Sequence, residues 1–234
     1  MIMEYDFAAG EILLLDKPLD WTSFDVVKKV RNTLRVKKVG HAGTLDPLAT
    51  GLLILCTGKY TKRIDEIQGQ EKEYTGTIRL GEVTPSYDRE TEVTETRDTG
   101  HITKEAIDAA AKTFVGTIEQ VPPIYSAVMV DGKRAYDLAR KGKSAKLKPR
   151  TITIKAFAIT AKEDNEVHFK VICTKGTYIR SLAHDMGQLL GCGAHLSSLI
   201  RTRIGDYKLS DALTIEDIQE IRRKQTGAAN GSNS

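Results

Sequence analysis

The sequence predicts an α+β fold: one domain with a mixed, largely antiparallel sheet and flanking helices. Three observations carry that expectation. Runs of alternating apolar residues come in pairs joined by tight turns. Stretches with helical apolar spacing fall between those pairs. The chain has neither a repeated strand–helix–strand rhythm nor an internal repeat, so a doubly wound parallel sheet is a poor fit.

The elements follow in order. Glu11 to Leu15 reads as a strand ending at Asp16-Lys17-Pro18. A helix comes next, with Thr22 or Ser23 as its N-cap and Val26, Val27, Val30 and Leu34 as its apolar stripe. Gly40 to Gly51 is expected to be a loop, Leu52 to Cys56 a compact strand, and Tyr60 to Ile67 a helix. Lys72 to Leu80 alternates like a strand, and Thr103 to Val115 is an alanine-rich helix stopped by Gly116. Tyr125 to Val130 with Asp131-Gly132 forms half a hairpin, and Arg134 to Arg140 a short basic helix. Thr151–Ala161 and Glu166–Thr174 are long strands joined by Asp164-Asn165. The helix from Thr177 to Leu190 presents Ile179, Leu182, Met186 and Leu189 on one stripe, with Gly191 as its stop. Thr214 and Asp217 begin the last helix as a capping box, and residues 226–234 are expected to be a disordered polar tail.

Composition narrows the function classes. The chain has 234 residues, 40% of them apolar and 28% charged, as soluble globular proteins do. Its longest apolar run, Leu52 to Cys56, is far too short for a bilayer, and the acidic N-terminus has no basic signal-peptide region. Cys56, Cys173 and Cys192 stand far apart with no CxxC pair, which argues against disulfides or zinc and for a cytoplasmic location. The net charge is only +4, yet Lys133 to Arg150 carries eight basic residues against Asp137 alone. Such a block reads equally as a solvated face or as a phosphate contact.

The most distinctive stretch is Gly40-His41-Ala42-Gly43-Thr44-Leu45-Asp46-Pro47-Leu48-Ala49-Thr50-Gly51. Asp46 on such a constrained turn, beside a buried strand, is placed as a nucleophile or base would be. An ordinary Asp-Pro turn explains the acid and the proline but neither the glycines nor the histidine. No GxxxxGK[ST] is present, so the loop is not a phosphate cradle.

GHAGTLDPLATGLL resembles the catalytic motif of the TruB family of pseudouridine synthases. ILLLDKPLDWTS, KEYTGTIRLG, PPIYSAVMVDGKRAYDLARKG, CTKGTYIRSLAHDMG and GCGAHLSSLIRTRIG are similar to further family motifs, so the likeness runs over nearly the whole chain. The resemblance implies a pseudouridine synthase-type catalytic domain over residues 1–225; many family members add a C-terminal PUA domain, which is not expected here because the sequence leaves no room for one after the helix from Thr214. It implies an isomerase that turns uridine 55 in the T-loop of tRNA into pseudouridine, with the base flipped out and no cofactor or metal. Asp46 would attack covalently at C6 of the base or C1′ of the sugar, or act through a glycal-like intermediate. Arg180 would pair with it, and Tyr74 would stack on the uracil and move a proton.

His41, Tyr178 and Leu199 match positions at the flipped nucleotide, and Lys17 sits in a turn near the site, as a contact or a structural residue. Arg134, Arg140, Lys141, Lys143, Arg201 and Arg203 are expected on the RNA backbone. Ile200 stands where the family often has arginine. The expected partner is the tRNA T-arm, bound by a monomer with no membrane and no obligatory protein. Two rival readings are an RNA-guided homologue in a multi-protein complex, which relies on the absent C-terminal domain, and a tRNA-folding chaperone. A glycoside hydrolase would want a second facing carboxylate.

Overall fold

The computed structural model describes residues 5–130, 132–141 and 147–231. In chain order the strands are β1 (Ile12–Lys17), β2 (Val39–His41), β3 (Ala49–Thr57), β4 (Lys72–Leu80), β5 (Glu82–Val83), β6 (Glu95–Thr96), β7 (Gly116–Gln120), β8 (Met129–Val130), β9 (Lys133–Arg134), β10 (Arg150–Glu163), β11 (Glu166–Cys173), β12 (Ala194–Ile204) and β13 (Tyr207–Lys208). The α-helices are α1 (Ser23–Leu34), α2 (Ile64–Gly69), α3 (Lys104–Thr113), α4 (Ala135–Ala139), α5 (Ile179–Leu189) and α6 (Ile215–Gly231). They gather into two compact units, residues 1–72 with 200–234 and residues 73–199. Both boundaries fall inside strands, β4 and β12, where composition carries no linker signal.

In the first unit β3 pairs antiparallel with β1 and with β2, and β13 pairs with the end of β12. The unbroken apolar run in β3 has a direct cause, since both faces of the strand are covered. Leu53 and Leu55 join Leu13 and Leu15, the α1 stripe Val26–Val27–Val30–Leu34, and Ile215 and Ile218 of α6. Leu52, Ile54 and Cys56 point the other way, to Ala42, Ile67 and Ile204. Helix α1 opens with the full capping box: Thr22 Oγ1 accepts from Asp25 N, and the Asp25 carboxylate accepts from Thr22 N.

In the second unit the ladder order is β4-β11-β10-β7. Val167, Phe169, Val171 and Cys173 of β11 are buried on one face, as their alternation implies. Phe157 makes edge-to-face contacts with both Phe114 and Phe169, tying the end of α3 to β10 and β11. On α5, Ile179, Leu182 and Met186 are buried, whereas Leu189, the last residue of the helix, is exposed.

Four local expectations change. The stretch read as a loop from Gly40 to Gly51 starts and ends in strands β2 and β3, because backbone pairing from His41 to Leu55 extends into it. Tyr60 to Ile67 divides into a 3-10 turn over Gly58–Arg63 and the short α2. Gly116, with φ +116°, opens strand β7, and the preceding helix ends at Thr113. Helix α6 continues to Gly231, through most of the segment expected to be a disordered tail. Among the described residues no helix is long and apolar enough to cross a membrane.

Candidate active site

The first unit holds Asp46. Its side chain is half-buried, and the main chain on either side is held by groups brought in from elsewhere in the unit. Ser23, buried at the start of α1, donates from Oγ to Leu45 O at 3.1 Å and accepts from Leu45 N at 2.9 Å. Arg201 donates from Nε to Leu52 O at 2.8 Å, from Nη1 to Thr44 O at 3.3 Å and from Nη2 to Gly43 O at 3.1 Å. Lys17 Nζ donates to Pro47 O at 3.2 Å, to Trp21 O at 2.6 Å and to Pro18 O at 2.8 Å. Asp20 N adds a second bond to Pro47 O at 2.9 Å, and the Asp46 carbonyl itself accepts from Ala49 N at 3.0 Å.

The carbonyls of residues 43 to 47 are therefore all engaged, leaving the Asp46 carboxylate on a backbone with little freedom to move. Two glycines permit this arrangement. Gly43 adopts φ +93°, and at Gly51, with φ +97°, a Cβ would stand 2.5 Å from the Arg201 carbonyl oxygen.

Burial bears on Arg201, expected on the RNA backbone, and on Lys17, read as either a contact or a structural residue. Arg201 is 1% exposed and Lys17 is fully buried, and each donates to three backbone carbonyls. Neither can reach a phosphate; both hold the loop. Arg203 is partly exposed and bonds Glu71 Oε1 and Gly205 O, each at 2.7 Å, so it too is engaged within the protein. His41 is half-buried, and burial together with the Arg201 charge lowers its pKa against a backbone hydrogen bond at Gly43. It is neutral at pH 7.

Burial likewise brings the Lys17 pKa down to about 8, against the raising effect of the Asp46 and Asp20 charges. An unfolded lysine titrates near 10.5, so between about pH 8 and 10.5 the unfolded chain binds the extra proton. Stability should therefore rise with pH through that window, by about 3 kcal/mol in all. Urea midpoints at pH 7.5 and 10.5, compared between wild type and Lys17→Met, isolate this contribution. An identical pH trend in the two proteins would contradict it.

The second unit holds Tyr74, Tyr178, Arg180 and Leu199. Tyr74 on β4 is 7% exposed, and Leu199 near the end of the unit is 9% exposed. Arg180 lies off the apolar stripe of α5 and yet is 4% exposed. Its Nη1 donates to Ser86 O at 3.2 Å and Tyr125 O at 2.9 Å, and its Nε stands 3.6 Å from Asp88 Oδ2. Ser181 Oγ donates to Val121 O at 2.8 Å, so the first turn of α5 docks on residues 120–125.

Asp88 was missed by sequence reasoning. Its backbone carbonyl accepts from Thr84 Oγ1 and Ser86 Oγ, and the preceding Tyr87 sits at φ +64° with its ring stacked 3.8 Å from that of His184. A non-glycine residue forced into the left-handed region is a mark of a specified turn, which sequence alone does not display. Ser23 and Gln120 were missed for a similar reason: both are uncharged polar residues whose partners lie far along the chain.

Of the basic block, Arg140 is exposed, pairs with Glu90 at 3.1 Å and lies 5.5 Å over the Tyr136 ring. Lys141 is exposed. Lys143 and the Arg134 side chain lie outside the described residues.

A sequence profile of the TruB family pseudouridylate synthase N-terminal domain matches residues 31–179, and one of the tRNA pseudouridylate synthase B C-terminal domain matches residues 180–230. The chain is 54% identical over 221 residues to the tRNA pseudouridine synthase B of Phocaeicola vulgatus, covering 92% of this chain and 94% of that one. Identity to the tRNA pseudouridine synthase B of Parabacteroides distasonis is also 54%, over 222 residues and the same shares. Among solved structures, a chain of a Cbf5-Nop10-Gar1 complex matches with a TM-score of 0.72 and 32% identity, over 92% of this chain and 54% of that one. This chain thus spans about half the length of that relative. The mixed, largely antiparallel sheet with flanking helices is the fold expected of such relatives. With both profiles matched and more than half the residues shared along nearly its full length, the chain belongs to the TruB family of pseudouridylate synthases.

Proposed function

We propose that the protein isomerises uridine 55 in the T-loop of tRNA to pseudouridine through Asp46, acting on a base flipped out of its stack. Family membership supports the coarser statement, that the chain is a tRNA pseudouridine synthase and so an isomerase. The observation that carries the finer one is the clamped loop of residues 43–47, which holds a half-buried carboxylate on an immobilised backbone. A carboxylate is a weak nucleophile unless its reacting partner is positioned and water is kept away.

In the reaction the C1′–N1 bond breaks, the uracil turns, and a C1′–C5 bond forms. C5 loses a proton and N1 gains one, so no electron leaves or enters. We assign Arg180 as the cation that keeps the Asp46 carboxylate ionised during attack, an ionised partner for a carboxylate being the strong kind of hydrogen bond. Tyr74 stacks on the everted uracil and moves a proton. Tyr178 and Leu199 line its pocket, and neutral His41 contacts the flipped nucleotide. Removing a base from its stack costs roughly a few kcal/mol, which aromatic and apolar contacts of this kind offset. Arg140 and Lys141 contact phosphates of the T-arm.

The test is to incubate the purified protein with an unmodified tRNA transcript and map pseudouridine along it. One modified site, at position 55, is the expected result; modification elsewhere, or none, would remove the substrate assignment. Charge reversal at Arg140 and Lys141 is expected to weaken tRNA binding and reduce the salt slope by about one or two. An unchanged slope would return them to a solvated face.

The solved Cbf5 complex raises the reading of an RNA-guided enzyme with protein partners. The higher identity to tRNA pseudouridine synthase B over nearly the whole of both chains favours tRNA as the direct substrate.

A further inference from the structure

Gln120 and Arg150 stand opposite each other in the β7–β10 ladder, and both reach Tyr178. Gln120, 1% exposed, donates from Nε2 to Tyr178 O at 3.0 Å and accepts from Tyr178 N at 2.8 Å through Oε1. One carboxamide thus pairs with both backbone groups of a single residue, as a neighbouring strand would. Tyr178 needs such a partner. It is the N-cap of α5, with φ −96° and ψ 109°, and its side chain makes no capping bond. Locally its carbonyl accepts the first helical bond, from Leu182 N at 3.2 Å, but no bond of the helix end holds its N–H, and the direction of the ring follows the backbone. Arg150 acts on the ring itself, with its guanidinium carbon 5.3 Å from the ring centroid. A cation there lies against one π-face, so a stacked base would be taken on the other.

We propose that Gln120 and Arg150 are positioning residues for Tyr178: the carboxamide determines where the phenol ring stands, and the guanidinium occupies one of its faces. This rests on the reading of Tyr178 as a residue that contacts the target pyrimidine. It gives a purpose to a buried glutamine and a strand arginine that the reaction itself does not use.

The experiment uses the full chain and an unmodified tRNA transcript, following pseudouridine formation under single-turnover conditions together with the tRNA dissociation constant. In Gln120→Glu the carboxyl can replace both bonds only when protonated; once ionised it has no donor for Tyr178 O. The rate constant of the variant, divided by that of wild type, should therefore rise at least tenfold as pH falls from 8 to 5.5. The dissociation constant should change less than twofold. A merely structural glutamine would move the melting temperature with pH and leave that ratio flat, and a flat ratio in folded protein overturns the proposal.

Gln120→Met, which fills the same volume without either bond, serves if the acidic variant does not fold. It should lower the rate constant at least tenfold at every pH with tRNA binding intact, and a wild-type rate overturns the proposal equally. Arg150→Ala should lower the rate constant three- to tenfold with an unchanged salt slope of binding. A slope reduced by about one with an intact rate would make Arg150 a phosphate contact and overturn its half of the bracket. A wild-type protein that forms no pseudouridine overturns both this proposal and the reading beneath it. An active wild type with a flat Gln120→Glu ratio overturns the bracket alone.

Discussion

Asp46→Asn is expected to lose pseudouridine formation by about 10⁴-fold or more, the scale on which removal of an enzyme's nucleophile is felt. The amide has nearly the shape of the carboxylate but cannot form the bond to the substrate. The groups that hold the loop are Ser23, Lys17 and Arg201, and all of them bind main-chain atoms, none of which this substitution alters. The main-chain bonds of the loop should therefore survive, and the variant should fold and bind tRNA within about threefold. The measurement is single-turnover pseudouridine formation beside a filter-binding titration. A variant that turned over at the wild-type rate would end the assignment of Asp46 as nucleophile. One that lost binding in proportion to rate would make it a recognition residue.

Arg201→Met should be the most destabilising of the single substitutions considered. It removes a fully buried cation and leaves the carbonyls of Gly43, Thr44 and Leu52 without their donors. Leaving a buried acceptor without a donor costs roughly 1–3 kcal/mol each, so about 3–5 kcal/mol in all is expected for the three. In a chain of this size that lowers the melting temperature by about 6–20 °C, at roughly 2–4 °C per kcal/mol. Activity should fall as well, since the backbone that presents Asp46 is released. Arg203→Met is the control: this arginine is partly exposed and paired with Glu71, and its loss should cost about 1 kcal/mol or less. Equal and small shifts in the two variants, with tRNA binding lost in both, would restore Arg201 to the RNA-facing surface and refute the loop-clamp role.

Much of the fold could be read in advance. The α1 stripe, an N-cap at Thr22 or Ser23 and the alternation of β11 are local patterns, and the structure keeps them, with Thr22 as the cap. The constrained loop around Asp46 was equally visible, because its glycines and proline are demands on the backbone that appear as residue types. The boundaries were less legible. Strands β2 and β3 reach into the expected loop because pairing with a partner, and no intrinsic preference, decides where a strand stops. The reach of α6 into a small, polar, glycine-containing segment was hidden for the same reason, since composition there suggests no helix.

By itself the sequence determined which residues are available for the chemistry and the family to which they belong: one acid in a constrained loop, with tyrosines, an arginine and a histidine in ordered motifs. Only the tertiary structure decided which cations face solvent and which face inward. Arg201 read as an RNA contact, and Lys17 as either a contact or a structural residue, because a basic side chain carries no sign of its own burial. Burying a charge is unfavourable unless several acceptors converge on it. That convergence exists only once the turn after β1, the loop before β3 and the end of β12 have come together within the first unit.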